Sequence, residues 1–206
     1  MLECLSKCMH HKILSTLLKQ PNRLLDCLYL LQSIKKILFP TDSLLVTFDV
    51  KTLYLGIPTQ EGILALWGML LHSTFFIFSP KDVEFLDGVA ELVLKCHFLE
   101  FNGSFYQQIR GTMMGNNSSF VYGCLFLCHL EKEVNRIIPS PKIKLFKRFI
   151  DDGFLVWFGS QDRLHTYLEC YELIYPHNIC ITSCIYSTSV NLLDVVLFKG
   201  LDFQNF

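Results

Sequence analysis

The chain has no surplus of positive charge: 18 Lys and Arg stand against 19 Asp and Glu, for a formal net charge of −1. A stand-alone nucleic-acid binder draws most of its non-specific affinity from neutralising phosphates and carries a basic excess. Its absence argues against tight independent binding by charge and leaves room only for a local basic stretch. Charged residues make up 18% of the chain and hydrophobic ones 51%, a balance that excludes a disordered segment. No repeat, low-complexity run or Gly/Ser linker interrupts the 206 residues, so composition marks no domain boundary. The N-terminus carries no basic-then-apolar leader with a cleavage site. With nine Cys, an odd number, the expectation is reduced thiols without disulfide partners in a nuclear or cytoplasmic, not secreted, protein.

Aromatic residues are abundant, at 14% with 18 Phe, and imply extensive burial. Cys4 and Cys8 with His10 and His11 have the residue types of a zinc site. No second ligand pair lies at finger spacing, however, and the segment reads as helix. Cys124 with Cys128, and Cys180 with Cys184, read as small core residues. From Gly62 to Pro80 there is no formal charge, a length at the lower limit for a spanning helix. His72, Ser73 and Thr74 fall in its middle, and Gly68 and Pro80 punctuate it. A buried amphipathic helix followed by a short extended piece is expected there, and no membrane partner.

Apolar spacing predicts a helix over residues 12 to 38, broken by Pro40-Thr41-Asp42. Ser43 to Val50 reads as a buried strand ending on Asp49. Thr59 is the expected N-cap of the next helix, and Ser79 with Pro80 starts another that runs to Lys95. Asn102-Gly103 between two short apolar runs predicts a hairpin over Phe98 to Ile109. A glycine-bracketed loop, Gly111 to Gly115, then leads into an apolar helix from about Ser118 to Asn135. Lys144 to Phe158 reads as a second hairpin turning on Asp151-Asp152-Gly153. Ser160 caps a helix to about Ile174, and strands follow near Ile179 to Ser183 and Val190 to Phe198. This order predicts an α+β domain, helices packed on a mainly antiparallel sheet.

Two adjacent carboxylates in a tight turn between apolar strands are costly unless solvated or metal-bound. A solvated Asp-Asp-Gly turn explains Asp151 and Asp152 taken alone. A third carboxylate, Asp49, also ends an apolar strand, and neighbouring strand ends in one sheet can bring the three together. Converging hard oxygen ligands are what Mg²⁺ requires, and a pair of such ions drives in-line phosphoryl transfer.

Phe48-Asp-Val-Lys-Thr-Leu-Tyr-Leu-Gly-Ile-Pro58 resembles the first catalytic motif of reverse transcriptases from Penelope-like retroelements. Phe105-Tyr-Gln-Gln-Ile-Arg-Gly-Thr-Met-Met-Gly115 is similar to their second motif, with Tyr122 and Leu125-Phe126 in the helix after it. Arg148-Phe-Ile-Asp-Asp-Gly-Phe154 resembles the aspartate-pair motif, and Val190 to Gly200 the strand pair that supports the primer grip. The four stand in the family's order across about residues 20 to 200.

The resemblance implies a right-hand polymerase palm acting as an RNA-directed DNA polymerase. It implies Asp49 and Asp151 bridging two Mg²⁺ ions (Mn²⁺ as a substitute), Asp152 as the more peripheral carboxylate and the Val50 carbonyl as an extra ligand. It also implies Tyr54 as a steric gate against a ribose 2′-hydroxyl, with a buried core aromatic as the alternative. Gln108, Arg110 and Gly111 would lie against the incoming deoxynucleoside triphosphate and template. Lys142, Lys144, Lys147 and Arg148 form the concentrated basic stretch; Lys144, Lys147 and Arg148 contact an RNA or DNA template with its primer, or else form a solvated strand face.

Departures from the family pattern are local. Leu55-Gly56 replaces Thr-Asn, Ser119-Phe120 replaces Ala-Pro, Met113 stands for a small Ala, and Phe149 for Tyr. Only 48 residues precede Asp49, so the expectation is one partial domain over 1–206 with truncated fingers in 1–43, the palm in 44–200, and no thumb. The alternative is a catalytically inactive or domesticated remnant that binds nucleic acid or another partner without synthesis.

Overall fold

The computed structural model describes residues 1–35, 37–71, 78–139 and 142–199. In chain order the elements are α1 (Leu2–Leu18), α2 (Cys27–Ile34), β1 (Leu44–Lys51), α3 (Leu53–Gly56), α4 (Thr59–Leu71), α5 (Pro80–Lys95), β2 (Phe98–Phe101), β3 (Ser104–Gln107), α6 (Ser119–Ile137), β4 (Ile143–Phe149), β5 (Asp152–Trp157), α7 (Gln161–Ile174), β6 (Cys180–Tyr186), β7 (Ser189–Leu192) and β8 (Val195–Phe198).

The chain divides into two compact units, one from Met1–Gln20 and Thr52–Glu133, the other from Pro21–Lys51 and Val134–Phe206. The first is helical. Helices α1, α4 and α5 pack together through Met9, Ile13, Leu17, Leu66, Leu70, Ala90 and Val93, all essentially inaccessible to solvent. Helix α5 begins with a reciprocal capping box, the Ser79 side chain accepting from the Asp82 N–H while the Asp82 carboxylate accepts from the Ser79 N–H. Strands β2 and β3 pair as the Asn102-Gly103 hairpin, both turn residues at positive φ as a type I′ turn needs.

The second unit is built on a four-stranded sheet in the order β4-β5-β1-β6, antiparallel at every pairing. The pleat gives it two faces with different cargo. One carries Val46, Phe48, Leu155 and Trp157, and α7 covers it: the Phe48 ring lies 6.0 Å from that of Tyr171, and Trp157 5.9 Å from Tyr167. The other carries Leu45, Leu145, Phe154 and Val156 under Leu30 of α2 and under Val190 and Leu192 of the β7–β8 hairpin. Farther along that same face lie Asp49, Lys51 and Asp152.

Several expected boundaries move. The helix expected over 12 to 38 is two helices, because Pro21 can neither donate nor continue a helix and Asp26 caps a new one by accepting from Tyr29 N–H. Thr59 is the first residue of α4 rather than its cap, and its hydroxyl donates to the Ile109 carbonyl. The single strand that alternation suggests over Val190 to Phe198 is the β7–β8 hairpin, a strand pair as the resemblance implied, turned by Leu193 at φ +50. Cys124 and Cys128 are buried as expected, but Cys180 and Cys184 are exposed on β6. His72 to Thr74 lie outside the described residues, and among those described no helix is long and apolar enough to cross a membrane.

Candidate active site

Strand β1 is apolar and β-branched up to Phe48 and changes character at Asp49, where the sheet reaches solvent. Its neighbour β5 starts at the same level, so Asp49 and Asp152 are direct cross-strand partners. Phe149 pairs with Asp152 across the β4–β5 hairpin, which leaves Ile150 and Asp151 as the turn. The expected turn Asp151-Asp152-Gly153 is thus displaced toward the N-terminus. Ile150 takes φ +56, a left-handed conformation that a β-branched residue adopts only under strong constraint.

Two internal bonds supply that constraint. The Arg148 guanidinium donates to the Ile150 carbonyl. The Val50 N–H donates to the Asp151 carbonyl at 3.2 Å, fastening the turn to β1. Gly153 follows, and its lack of a side chain has a reason other than turning: a Cβ there would stand 2.0 Å from Cζ of Phe48. The Phe48 ring therefore occupies the space a side chain at 153 would need, against the start of β5.

Charge at this end of the sheet is unevenly balanced. Lys51, two residues beyond Asp49 on the same face, places Nζ 2.5 Å from Asp49 Oδ2. The bond and the charge of Asp49 raise the Lys51 pKa, with a smaller contribution from Asp152. Asp152 is exposed at its tip, yet flanked closely enough to lose part of its hydration, which pushes its pKa up. The charges of Asp151 and Asp49 add to that rise and Lys51 opposes it. All three carboxylates and one ammonium thus share one electrostatic neighbourhood. Beside them a cleft of about 180 Å³ opens between Asp49, Asp152 and Thr182 on one side and Asn191 to Leu193 of the β7–β8 turn on the other.

This donor set suits a hard divalent cation in kind and in sheet position, with Asp49 facing Asp152 and the Asp151 backbone tied alongside. The side chains are not gathered into a cage. Among the described residues no group of three or more His, Cys, Asp or Glu is disposed to hold an ion, and Lys51 already engages the Asp49 carboxylate.

The basic stretch divides in a way that one strand's alternation explains. Lys144 is exposed at an irregularity in the β4–β5 pairing. Lys147 turns inward: Nζ donates to the Pro21 carbonyl at 2.8 Å and stands 5.3 Å from the Tyr29 ring centroid, and burial lowers its pKa. Arg148, expected to contact nucleic acid, is 5% exposed, and its backbone bonds to Asn22 and Leu24 on either side. Burial corrects that expectation and makes Arg148 a brace for the aspartate turn.

In the helical unit, Tyr54 and Gly111 form a second constellation. Thr112 N–H donates to the Tyr54 carbonyl at 2.7 Å and Gly111 N–H to the Ile57 carbonyl at 2.8 Å. Gly111 has φ +77, and a Cβ there would lie 2.2 Å from the Tyr54 carbonyl oxygen. The glycine is what lets the loop run against the segment carrying Tyr54. Tyr54 is half-buried, its ring beside Gly123 of α6. The Gln108 side chain donates to the Arg110 carbonyl, and the Arg110 side chain is exposed.

Solved structures with a similar fold include polymerases. Apo telomerase from Candida tropicalis, truncated from its C-terminal domain, matches with a TM-score of 0.68 at 12% identity, over 93% of this chain and 43% of that one. Telomerase from Candida albicans in complex with a fragment of telomeric RNA matches with 0.65 at 13% identity, over 96% and 38%. The BmCPV RNA-dependent RNA polymerase at the elongation state matches with 0.59 at 14% identity, over 82% and 17%. No family model and no curated protein matches the sequence. The fold is a polymerase palm: an antiparallel sheet backed by helices, with Asp49 beside Asp152 and the Ile150-Asp151 turn at one end. The chain spans less than half the length of these neighbours.

Sequence reasoning did not single out Lys51 or the Phe48–Gly153 contact. Lys51 carried a signal, since it stands two residues after a strand-end Asp, where the pleat puts both on one face. The approach of Phe48 to Gly153 depends on register between strands about a hundred residues apart and has no local signature.

Proposed function

We propose that the chain is the palm of an RNA-directed DNA polymerase, of the type found in Penelope-like retroelements, which adds deoxynucleotides to a primer 3′-hydroxyl on an RNA or DNA template. The observation that carries this reading is the direct pairing of Asp49 with Asp152, with Asp151 fastened beside them, at the exposed end of a palm sheet. Asp49, Asp151 and Asp152, with the Val50 carbonyl, would hold two Mg²⁺, with Mn²⁺ as a substitute. Bound ions of this kind lower the pKa of the attacking hydroxyl and neutralise the leaving pyrophosphate.

The chain's own residues supply position. Asp49 and Asp152 fix the carboxylate spacing through the β1–β5 register. Arg148 and Val50 hold the Asp151 turn in its left-handed form. The cleft between the aspartates and Asn191 to Leu193 would take the primer terminus, and Lys144, exposed toward the far end of β4, would meet the nucleic-acid backbone away from it. Tyr54, Gln108, Arg110 and Gly111 would receive the nucleotide and template, and the tight Gly111–Tyr54 contact gives the gate a fixed backbone. Primer extension by the purified chain in Mg²⁺, beside D49N and D151A, tests the reading. Incorporation by the parent alone is the expected result; equal incorporation by all three would overturn it.

A second reading has one observation in its favour. The carboxylates are not gathered into a metal group, and Asp49 is paired with Lys51. A non-catalytic module descended from a polymerase would show nucleic-acid binding, or none, without synthesis in any divalent ion.

A further inference from the structure

Lys51 has no part in the roles assigned so far, yet it is the residue that touches the site. Its Nζ lies 2.5 Å from Asp49 Oδ2, and its charge acts on Asp152 as well. Among the described residues no other salt bridge reaches Asp49, Asp151 or Asp152. Lys147, the next lysine along this face, is committed to the Pro21 carbonyl. Positions 49 and 51 share a face of β1, and the strand partners opposite them on β6 are Thr182 and Cys180, neither a cation. One ammonium therefore engages Asp49 within reach of the charge of Asp152, on a side chain 53% exposed and long enough to swing away.

We propose that Lys51 is a tethered counter-cation for the aspartate site: it holds the place of a divalent ion at Asp49 and must be displaced when one binds. This rests on the reading of the three aspartates as metal ligands. The place-holder accounts for two features at once. It relieves the repulsion among carboxylates that the β1–β5 register forces together, and it explains why the donors are right in kind yet not gathered. On release, the ammonium lies beside the site on the same strand face, placed to meet an anionic group arriving with the ion.

The test is Mn²⁺ binding to the full chain, read by electron paramagnetic resonance of the free ion, for the parent, K51M, K51R and D49N. Removing one unit charge about 6 Å from a divalent ion in a solvated setting changes affinity roughly tenfold. K51M is therefore expected to bind Mn²⁺ about tenfold more tightly than the parent, K51R to match the parent, and D49N to lose the site. The double variant K51M/D49N is expected to show no gain over D49N. K51Q replaces K51M if the methionine variant aggregates.

Equal or weaker binding by K51M, with D49N still defective, would overturn the place-holder and leave the metal reading standing. No Mn²⁺ binding by any variant would overturn the metal reading itself, and the competition with it. Melting in EDTA supplies the readout independent of the ion. K51M should melt below the parent, and combining it with D49N should cost less than the two losses added. Strict additivity would overturn the pairing.

Discussion

Replacing Gly153 by Ala probes how the aspartate strands are spaced without touching an aspartate. A Cβ at 153 would lie 2.0 Å from Cζ of Phe48, 2.2 Å from Cε1 and 2.5 Å from Cε2. Ordinary carbon contacts begin near 3.5 Å, so about 1.5 Å of clearance must be found. The Phe48 ring has little to give. It is 3% exposed, 5.7 Å from the Phe146 centroid and 6.0 Å from that of Tyr171. Inserting one methyl into such packing costs about 1–3 kcal/mol. Urea denaturation should show that loss for G153A. If the Phe48 ring is its cause, F48L, which makes room, should take back a large part in the double variant G153A/F48L. Divalent-ion affinity should fall with G153A, because the displaced ring pushes β5 and Asp152 away from β1. A neutral G153A, within about 0.5 kcal/mol of the parent, would refute the packing argument. So would a double variant whose losses simply add.

Three further outcomes follow from the same geometry. The Asp152 carboxyl is raised in the folded chain, so its charge opposes folding at neutral pH and that penalty disappears as pH falls through the folded pKa. In EDTA, D152N should therefore melt above the parent at neutral pH, and the two melting curves should converge at acid pH; a constant difference across pH would contradict the assignment. R148M removes the guanidinium that holds the Ile150 carbonyl and should lower stability by about 1.5–3 kcal/mol in urea. It should also weaken Mn²⁺ binding, which a loss confined to packing would leave intact. G111A forces a side chain at φ +77 against the Tyr54 carbonyl and should destabilise the helical unit in hydrogen exchange while leaving the sheet's protection pattern unchanged.

Local chemistry made much of this fold legible from residues alone. The Asn102-Gly103 hairpin, the Ser79 cap and the strand ending at Asp49 each depend on neighbours in sequence, and each stands close to its expected place. What could not be read locally depends on pairing. Asp151-Asp152-Gly153 looks like a turn by composition, yet register with β1 draws Asp152 into the sheet and leaves Ile150 to turn the chain at a cost no propensity suggests. Cys180 and Cys184 look apolar but lie exposed on β6, the edge strand beside β1 among the described residues. The basic run before the aspartates reads as one stripe, and the pleat with its irregularity at Lys144 divides it among solvent, the Tyr29 ring and the interior. That Asp49 and the Asp151-Asp152 pair would meet at neighbouring strand ends was legible because Asp49 ends an apolar strand, where a carboxylate is expensive enough to need a reason.

Crystals of the full chain soaked in Mn²⁺ with a primer-template and a non-hydrolysable nucleotide, measured at the manganese edge, test the site most directly. Two anomalous peaks about 3.5–4 Å apart, both within ligand distance of Asp49 and Asp151 and with Lys51 swung clear of Asp49, are the predicted result. Peaks elsewhere, or none while nucleotide is bound and Lys51 still holds Asp49, would contradict the account.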